Sequence, residues 1–215
     1  MNLIIGNESL PPTRIFCIGR NYIKHAKELN NEIPSRPVIF MKPFTSLVPV
    51  GNEIQFPKHG KDLHYESEIV ILIGREGYAK SIEESDKFIK GLSLGLDLTL
   101  SDVQKELKQK GLPWEISKSF EQSAAIGKFV QFSPEIDLEN IEFRCFVNGE
   151  LRQTGNSQNM IFPIKKLIFE ISKIWKLLPG DLIYTGTPEG VGSLKKGDKI
   201  KIRSKLTGSF SWISK

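Results

Sequence analysis

This 215-residue chain is short of cysteine, of long apolar runs and of leader-like features, and each shortage removes a class of function. Cys17 and Cys145 are its only cysteines. Both lie in apolar, strand-like surroundings (Ile15-Phe16-Cys17-Ile18 and Phe143-Arg144-Cys145-Phe146-Val147), which reads as buried free thiols in a reducing compartment. No segment approaches the roughly 20 apolar residues of a membrane span. The opening Met1-Asn2-Leu3-Ile4-Ile5-Gly6 lacks a basic flank, and its apolar run is too short for a signal peptide. A cytoplasmic location without a membrane partner is therefore expected. The net charge of +5 and pI near 9.1 suggest nucleic acid, but the lysines are spread and no RNP, zinc-finger or helix-turn-helix pattern accompanies them. A basic surface instead favours a small anionic substrate by steering. The densest basic run, Leu194 to Ile202, alternates like a solvated edge strand. EF-hand loops, internal repeats and low-complexity tracts are also missing.

What is present fits one globular domain over residues 1–215, with residues 1–14 as a short N-terminal extension ending at Pro11-Pro12-Thr13. Strands are expected over Arg14 to Ile18, Val38 to Met41, Lys128 to Phe132, Asp181 to Thr185 and Ile200 to Ser204. Ile141 to Val147 and Leu151 to Gln153 form a further pair joined by an Asn148-Gly149 hairpin turn. Helices are expected over Tyr22 to Leu29 with Asn21 as cap, over Ser81 to Phe88, and over Ser101 to Lys110 started by Ser101 or Thr99. Ile164 to Leu177 repeats apolar residues with the helical period through Ile174 and Trp175. Between them, Asn30 to Pro37 is a polar, proline-bearing loop and a candidate lid. Many short strands with few helices predict a β-rich α+β domain.

His64-Tyr65-Glu66-Ser67-Glu68 runs into the apolar Ile69-Val70-Ile71-Leu72-Ile73. Residues two apart on a strand share a face, so Glu66 and Glu68 aim their carboxylates at one spot, where they repel unless a cation intervenes. Asp97 is another lone acid in an apolar run, Gly95 to Thr99. Three oxygen donors without Cys or His suit Mg²⁺ or Mn²⁺ rather than Zn²⁺. A solvated acidic strand with Asp97 in a turn fits the spacing as well.

His25 and Glu28 are neighbours on one helix face, where a carboxylate raises imidazole basicity and fixes its tautomer; an exposed surface pair is the plainer reading. Lys42 and Lys118 are single cations among apolar or aromatic neighbours, which snorkelling alone would explain. Thr185-Gly186-Thr187-Pro188-Glu189-Gly190-Val191-Gly192 is not a P-loop. Its glycines allow backbone close to a ligand, with the Thr187 hydroxyl and nearby N–H groups on a substrate carboxylate, or they make only a tight turn.

Taken in order, Cys17 to Tyr22, His25 and Glu28, Phe40-Met41-Lys42-Pro43, His64 to Glu68, Asp97, Gly111 to Trp114, Lys118-Ser119-Phe120, Val147 to Glu150 and Pro179 to Pro188 resemble the fumarylacetoacetate hydrolase superfamily from about Ile15 onward. The branch they most resemble holds acylpyruvate hydrolases and oxaloacetate decarboxylases. The resemblance implies a distorted mixed β-roll or sandwich with peripheral helices, a homodimer, and a Mg²⁺ or Mn²⁺ ion on Glu66, Glu68 and Asp97. It further implies water activation by His25 and Glu28 on a closing segment, a Lys118 ammonium that assists a developing enolate, and substrate contacts from Arg20, Lys42, Gln104 and Thr187. One departure is Ser101, which stands where the branch has a basic residue before Asp102-Val103-Gln104. The activity implied is hydrolysis of a C–C bond in a 2,4-dioxo acid of acylpyruvate type. Oxaloacetate decarboxylation and keto-enol tautomerisation are the alternatives on the same scaffold, and a non-catalytic basic binding protein is the alternative of another class.

Overall fold

A computed structural model describes residues 2–28 and 32–215. In chain order its first half comprises β1 (Leu3–Ile5), β2 (Glu8–Leu10), β3 (Ile15–Gly19), α1 (Ile23–Glu28), β4 (Val38–Lys42), β5 (Leu47–Pro49), β6 (Glu53–Ile54), β7 (Leu63–Tyr65), β8 (Ser67–Ile73) and β9 (Ile89–Asp97). Then follow β10 (Thr99–Leu100), α2 (Ser101–Gln109), α3 (Glu115–Lys118), β11 (Ala124–Ile126), β12 (Val130–Gln131), β13 (Glu142–Val147), β14 (Glu150–Asn156), α4 (Ile164–Ser172), β15 (Leu182–Tyr184), β16 (Gly192–Ser193), β17 (Lys199–Ser204) and β18 (Gly208–Ser214). The main mixed sheet has the order β4-β3-β15-β8-β9-β11-β5, and the second runs β14-β13-β17-β18-β6. A small β10-β7-β16 sheet carries the chain into the acidic segment. This is the expected β-rich α+β architecture.

The central strands explain why their sequence reads as one apolar run. On β8, Ile69, Ile71 and Ile73 enter the larger core shared with α4 and the second sheet, while Val70 and Leu72 enter a smaller core on the other face. A strand covered on both sides loses the alternation of a half-buried one. The smaller core also takes Leu3 and Ile5 of the β1-β2 hairpin, so the expected N-terminal extension is packed onto the sheet rather than appended to it. Both cysteines are free and buried.

Several expected elements are shorter. Only Ser85–Phe88 of the segment from Ser81 is helical, as a 3₁₀ turn, because the Ser81 hydroxyl takes the Glu84 N–H and Ser85 donates to the Ser81 carbonyl. The last long helix stops at Ser172; Ile174 is exposed, whereas Trp175 packs against Phe16 at 5.3 Å. Strand 128–132 narrows to β12. α2 begins at Ser101 without a side-chain cap. Leu29 and part of the candidate lid loop lie outside the described residues. No helix among the described residues is long and apolar enough to cross a membrane.

One buried ion pair ties the start of the domain to β15. Fully buried Asp181 accepts from Thr13 Oγ1 at 2.6 Å, from Arg14 Nε and Nη2 at 3.0 and 2.6 Å, and from the Leu178 N–H at 2.9 Å. Arg14→Ala strips the carboxylate of the one cation paired with it among the described residues and is expected to cost on the order of 3 kcal/mol. Calorimetry should show Tm falling by roughly 6 to 12 °C; a fall under about 2 °C would refute this.

Candidate active site

Glu66 sits in the one-residue break between β7 and β8, and Glu68 follows on β8. Asp97 ends β9, where its N–H donates to the Glu66 carbonyl at 2.8 Å. Cross-strand pairing sets Glu68 opposite Gly95, so the acids are brought together by adjacent strands rather than by a loop. Ligand atoms of Glu66, Glu68 and Asp97 all lie within 4.8 Å of one another. The solvated-strand alternative therefore fails: Glu68 and Asp97 are each 1% exposed.

Two lysines answer part of this charge. Lys118, at the end of α3, places Nζ 2.8 Å from Glu66 Oε2 and 2.8 Å from Asp97 Oδ2. Lys42 places Nζ 2.8 Å from Asp97 Oδ1 in ion-pair rather than hydrogen-bond geometry, and donates to the carbonyls of Leu98 and Lys118. Burial tends to raise the Asp97 carboxyl, but the Lys118 and Lys42 ammonium groups reverse this and hold it below its usual range. Burial works to lower the Lys118 ammonium, and Asp97 and Glu66 reverse that, holding it raised. Glu68 is paired with neither ammonium group among the described residues, and Lys118 opposes its rise only weakly. Its one hydrogen bond comes from the Gly186 N–H at 2.7 Å, and burial, then the charges of Asp97 and Glu66, push its carboxyl well above the normal range.

Three carboxylates against two ammonium groups leave one negative charge without a counter-cation in a buried site. An all-oxygen donor set with that deficit fits a hard divalent cation. Glu66, Glu68 and Asp97 are thus a donor set that could hold a divalent metal ion.

The loop after β15 joins this centre to α1. Gly186 serves Glu68 from a backbone at φ +100°, and a Cβ there would lie 2.6 Å from Asn21 Cβ. Farther along, the Gly190 N–H reaches Glu28 at 3.3 Å. Glu28 Oε2 lies 3.2 Å from Nδ1 of buried His25. Asn21 does not cap α1 as expected. Its buried amide donates to the carbonyls of Phe162 and Thr185 and accepts from the Phe162 N–H, pinning the turn before α1 to the loop.

Two of the expected substrate contacts have protein partners in this structure. The Lys42 side chain is fully buried against Asp97 and two carbonyls, where it orients Asp97. The Thr187 hydroxyl donates to the Ser67 carbonyl at 3.0 Å and accepts from Gln153 at 2.8 Å. Gln104 is half-buried on α2, with its amide oxygen turned to Lys108 at 3.1 Å. Arg20 is half-buried after β3 at φ 58°, a left-handed conformation, with no partner for its buried Nε among the described residues.

Lys108 escaped the sequence reading, since a lysine on a polar helix carries no signal until its neighbours are known. A second cluster, Asp62, His64 and Ser193, looks like a nucleophile triad by composition only. Asp62 and Ser193 both meet the same imidazole nitrogen, Nε2, so the ring cannot relay a proton between them.

The family model for the C-terminal part of fumarylacetoacetate hydrolase matches residues 14–211. A mitochondrial oxaloacetate tautomerase of Bos taurus is 42% identical over 187 residues, covering 87% of this chain and 85% of that protein. A mitochondrial oxaloacetate decarboxylase of Dictyostelium discoideum is 43% identical over 189 residues, covering 87% of each. The crystal structure of fumarylpyruvate hydrolase from Pseudomonas aeruginosa with Mn²⁺ and pyruvate superposes with a TM-score of 0.95 at 32% identity, over 100% of this chain and 95% of that one. The mitochondrial relatives overturn the cytoplasmic expectation. Buried free thiols report only a reducing environment, which organelles also provide, so they could not separate the two. With the matched segment spanning nearly all described elements and the acidic centre inside it, the chain belongs to the fumarylacetoacetate hydrolase family of enzymes.

Proposed function

We propose that this enzyme hydrolyses a C–C bond in a 2,4-dioxo acid of acylpyruvate type, using Mg²⁺ or Mn²⁺ and acting as a homodimer. The observation that carries the reading is the joining of two units by one loop: the three-carboxylate centre with Lys118, and the His25–Glu28 pair. Glu66, Glu68 and Asp97 would hold the ion, which when bound would supply positive charge against the anionic oxygens of a 2-oxo acid. With Nδ1–H directed at Glu28, His25 keeps a lone pair on Nε2 to accept a proton from water. The water oxygen bonds to the distal carbonyl carbon, and the bond from that carbon to the methylene breaks. The electron pair passes into pyruvate enolate, and the imidazolium returns its proton to the methylene carbon. Glu28 stabilises the transient imidazolium, and the Lys118 ammonium adds positive charge where enolate charge develops. A binding protein without catalysis has no need of this buried, mutually repelling set.

A second reading, decarboxylation or tautomerisation of oxaloacetate, is favoured by the names of the relatives at 42% and 43% identity. It uses the same enolate stabilisation without water attack. The test is a panel of acetylpyruvate, fumarylpyruvate and oxaloacetate with Mn²⁺, Mg²⁺ or EDTA. Metal-dependent pyruvate release from an acylpyruvate, lost in EDTA, is expected; turnover of oxaloacetate alone would replace the first reading by the second, and no turnover would overturn both. Light scattering at twice the 24.3 kDa chain mass is expected for the dimer.

A further inference from the structure

A glutamine that the chemistry above does not use lies between the acidic centre and the loop that serves Glu28. Gln153 is buried on β14, and both ends of its amide are fully engaged. Oε1 accepts from the Ser67 N–H at 3.0 Å and from Ser67 Oγ at 2.8 Å, while Nε2 donates to Thr187 Oγ1 at 2.8 Å and to the Pro188 carbonyl at 2.9 Å. A backbone donor on one side and a backbone carbonyl on the other leave the amide this one orientation. Ser67 stands between Glu66 and Glu68 in the chain; Thr187 and Pro188 stand between Gly186, whose N–H serves Glu68, and Gly190, whose N–H serves Glu28. One side chain from the second sheet thus spans both halves of the site.

An extra residue in β14 delivers it there. Cys145 pairs with Gln153 and Phe146 with Leu151, so Arg152 is left over as a bulge. Bulges re-aim side chains, and here Glu150, Leu151 and Arg152 are exposed in succession before Gln153 turns inward. The bulge also sets the Arg152 carbonyl against Gly190, whose φ is +91° and where a Cβ would run into that oxygen. An exposed Lys24–Glu189 pair at 3.5 Å adds little to holding this stretch.

We infer that Gln153 is a positioning residue whose two amide ends hold different parts of the site. The Oε1 end fixes Ser67 and with it the spacing of Glu66 and Glu68; the Nε2 end fixes the loop that presents Gly190 to Glu28. Metal affinity and water activation then depend on opposite ends of one side chain. The second dependence rests on the reading of His25 and Glu28 as the base, and the experiment separates the two.

Gln153→Met keeps the length and removes both ends, whereas Gln153→Glu keeps the acceptors for Ser67 and offers at most one donor where the loop needs two. Mn²⁺ affinity is read by calorimetry, the Gly190 N–H by hydrogen exchange, and acetylpyruvate hydrolysis by kcat and KM. Gln153→Met is expected to bind Mn²⁺ about 10- to 100-fold more weakly, as for loss of a group that orients metal ligands. Gln153→Glu should bind it at least as tightly as wild type. Both variants should exchange the Gly190 N–H at least about tenfold faster, and both should lose at least about tenfold in kcat at nearly unchanged KM. Thr187→Val, which removes only the loop-side hydroxyl, should likewise speed Gly190 exchange at wild-type Mn²⁺ affinity, and it decides the matter if a Gln153 variant fails to fold. A purely structural glutamine would lower Tm yet leave Mn²⁺ affinity, Gly190 exchange and kcat per folded molecule unchanged, which overturns the inference; so would equal loss of Mn²⁺ affinity in the two Gln153 variants. Absence of acylpyruvate hydrolysis in wild type would instead refute the reading of the base, while Mn²⁺ affinity and Gly190 exchange still decide for or against Gln153.

Discussion

Replacing Glu68 with glutamine is expected to leave the metal-free protein at least as stable as wild type while removing its response to Mn²⁺. The two effects have opposite signs because the same carboxylate does both things. Without an ion, Glu68 when ionised is a buried charge facing Asp97 and Glu66, with the Gly186 N–H and a weak effect of Lys118 in compensation. Glutamine keeps the volume and the acceptor for Gly186 but drops the charge, so desolvation and repulsion both ease. With an ion, wild type gains about 4 kcal/mol when the ion is at a thousand times its Kd. The variant, short of one anionic ligand, should bind at least about 10²-fold more weakly, since loss of a supporting partner alone costs 10- to 100-fold.

The proton balance offers an independent readout. A carboxyl raised above its unfolded value binds a proton more tightly in the folded chain, so the metal-free fold loses stability as pH rises through the window above the ordinary glutamate range. Metal binding within that window must expel the proton. Calorimetry in two buffers of different ionisation enthalpy should show proton release for wild type and much less for Glu68→Gln. A variant with wild-type Mn²⁺ affinity would remove Glu68 from the centre.

How much of this was legible in the sequence depends on how local each signal is. The paired acids were visible because Glu66 and Glu68 lie two apart, and Asp97 because a lone acid in an apolar run needs a reason. The Asn148-Gly149 turn and the helix from Ser101 were equally local. What the sequence hid was the partner of each polar group. Asn21 looks like a cap until Phe162 and Thr185 arrive from far along the chain, and Thr187 looks like a ligand contact until Ser67 and Gln153 absorb its hydroxyl. Lys42 is the same kind of case: only the fold shows that its ammonium meets Asp97. The helix from Ile164 ends at Ser172 although its apolar period runs on to Trp175, whose N–H still donates to the Ile171 carbonyl at 2.9 Å while its ring packs against Phe16.

Removing the imidazole of His25 is expected to separate water chemistry from enolate chemistry. Hydrolysis of an acylpyruvate needs a base for the attacking water, and a positioned general base contributes roughly 10²- to 10⁴-fold. His25→Ala should lose that factor in kcat, while its Mn²⁺-induced rise in Tm persists because none of the three acidic ligands is touched. Oxaloacetate turnover should fall far less, since loss of carbon dioxide leaves an electron pair that needs positive charge rather than water. Glu28→Gln should give a smaller loss on hydrolysis: the Gly190 N–H keeps an oxygen acceptor, but the imidazolium loses its neighbouring negative charge. The measurement is kcat and kcat/KM for both substrates at saturating Mn²⁺. Equal losses on the two would make His25 part of segment closure over the ligand rather than the base. Unchanged rates on both would take the pair out of the reaction and leave buried His25 a packing role against the loop that carries Gly190.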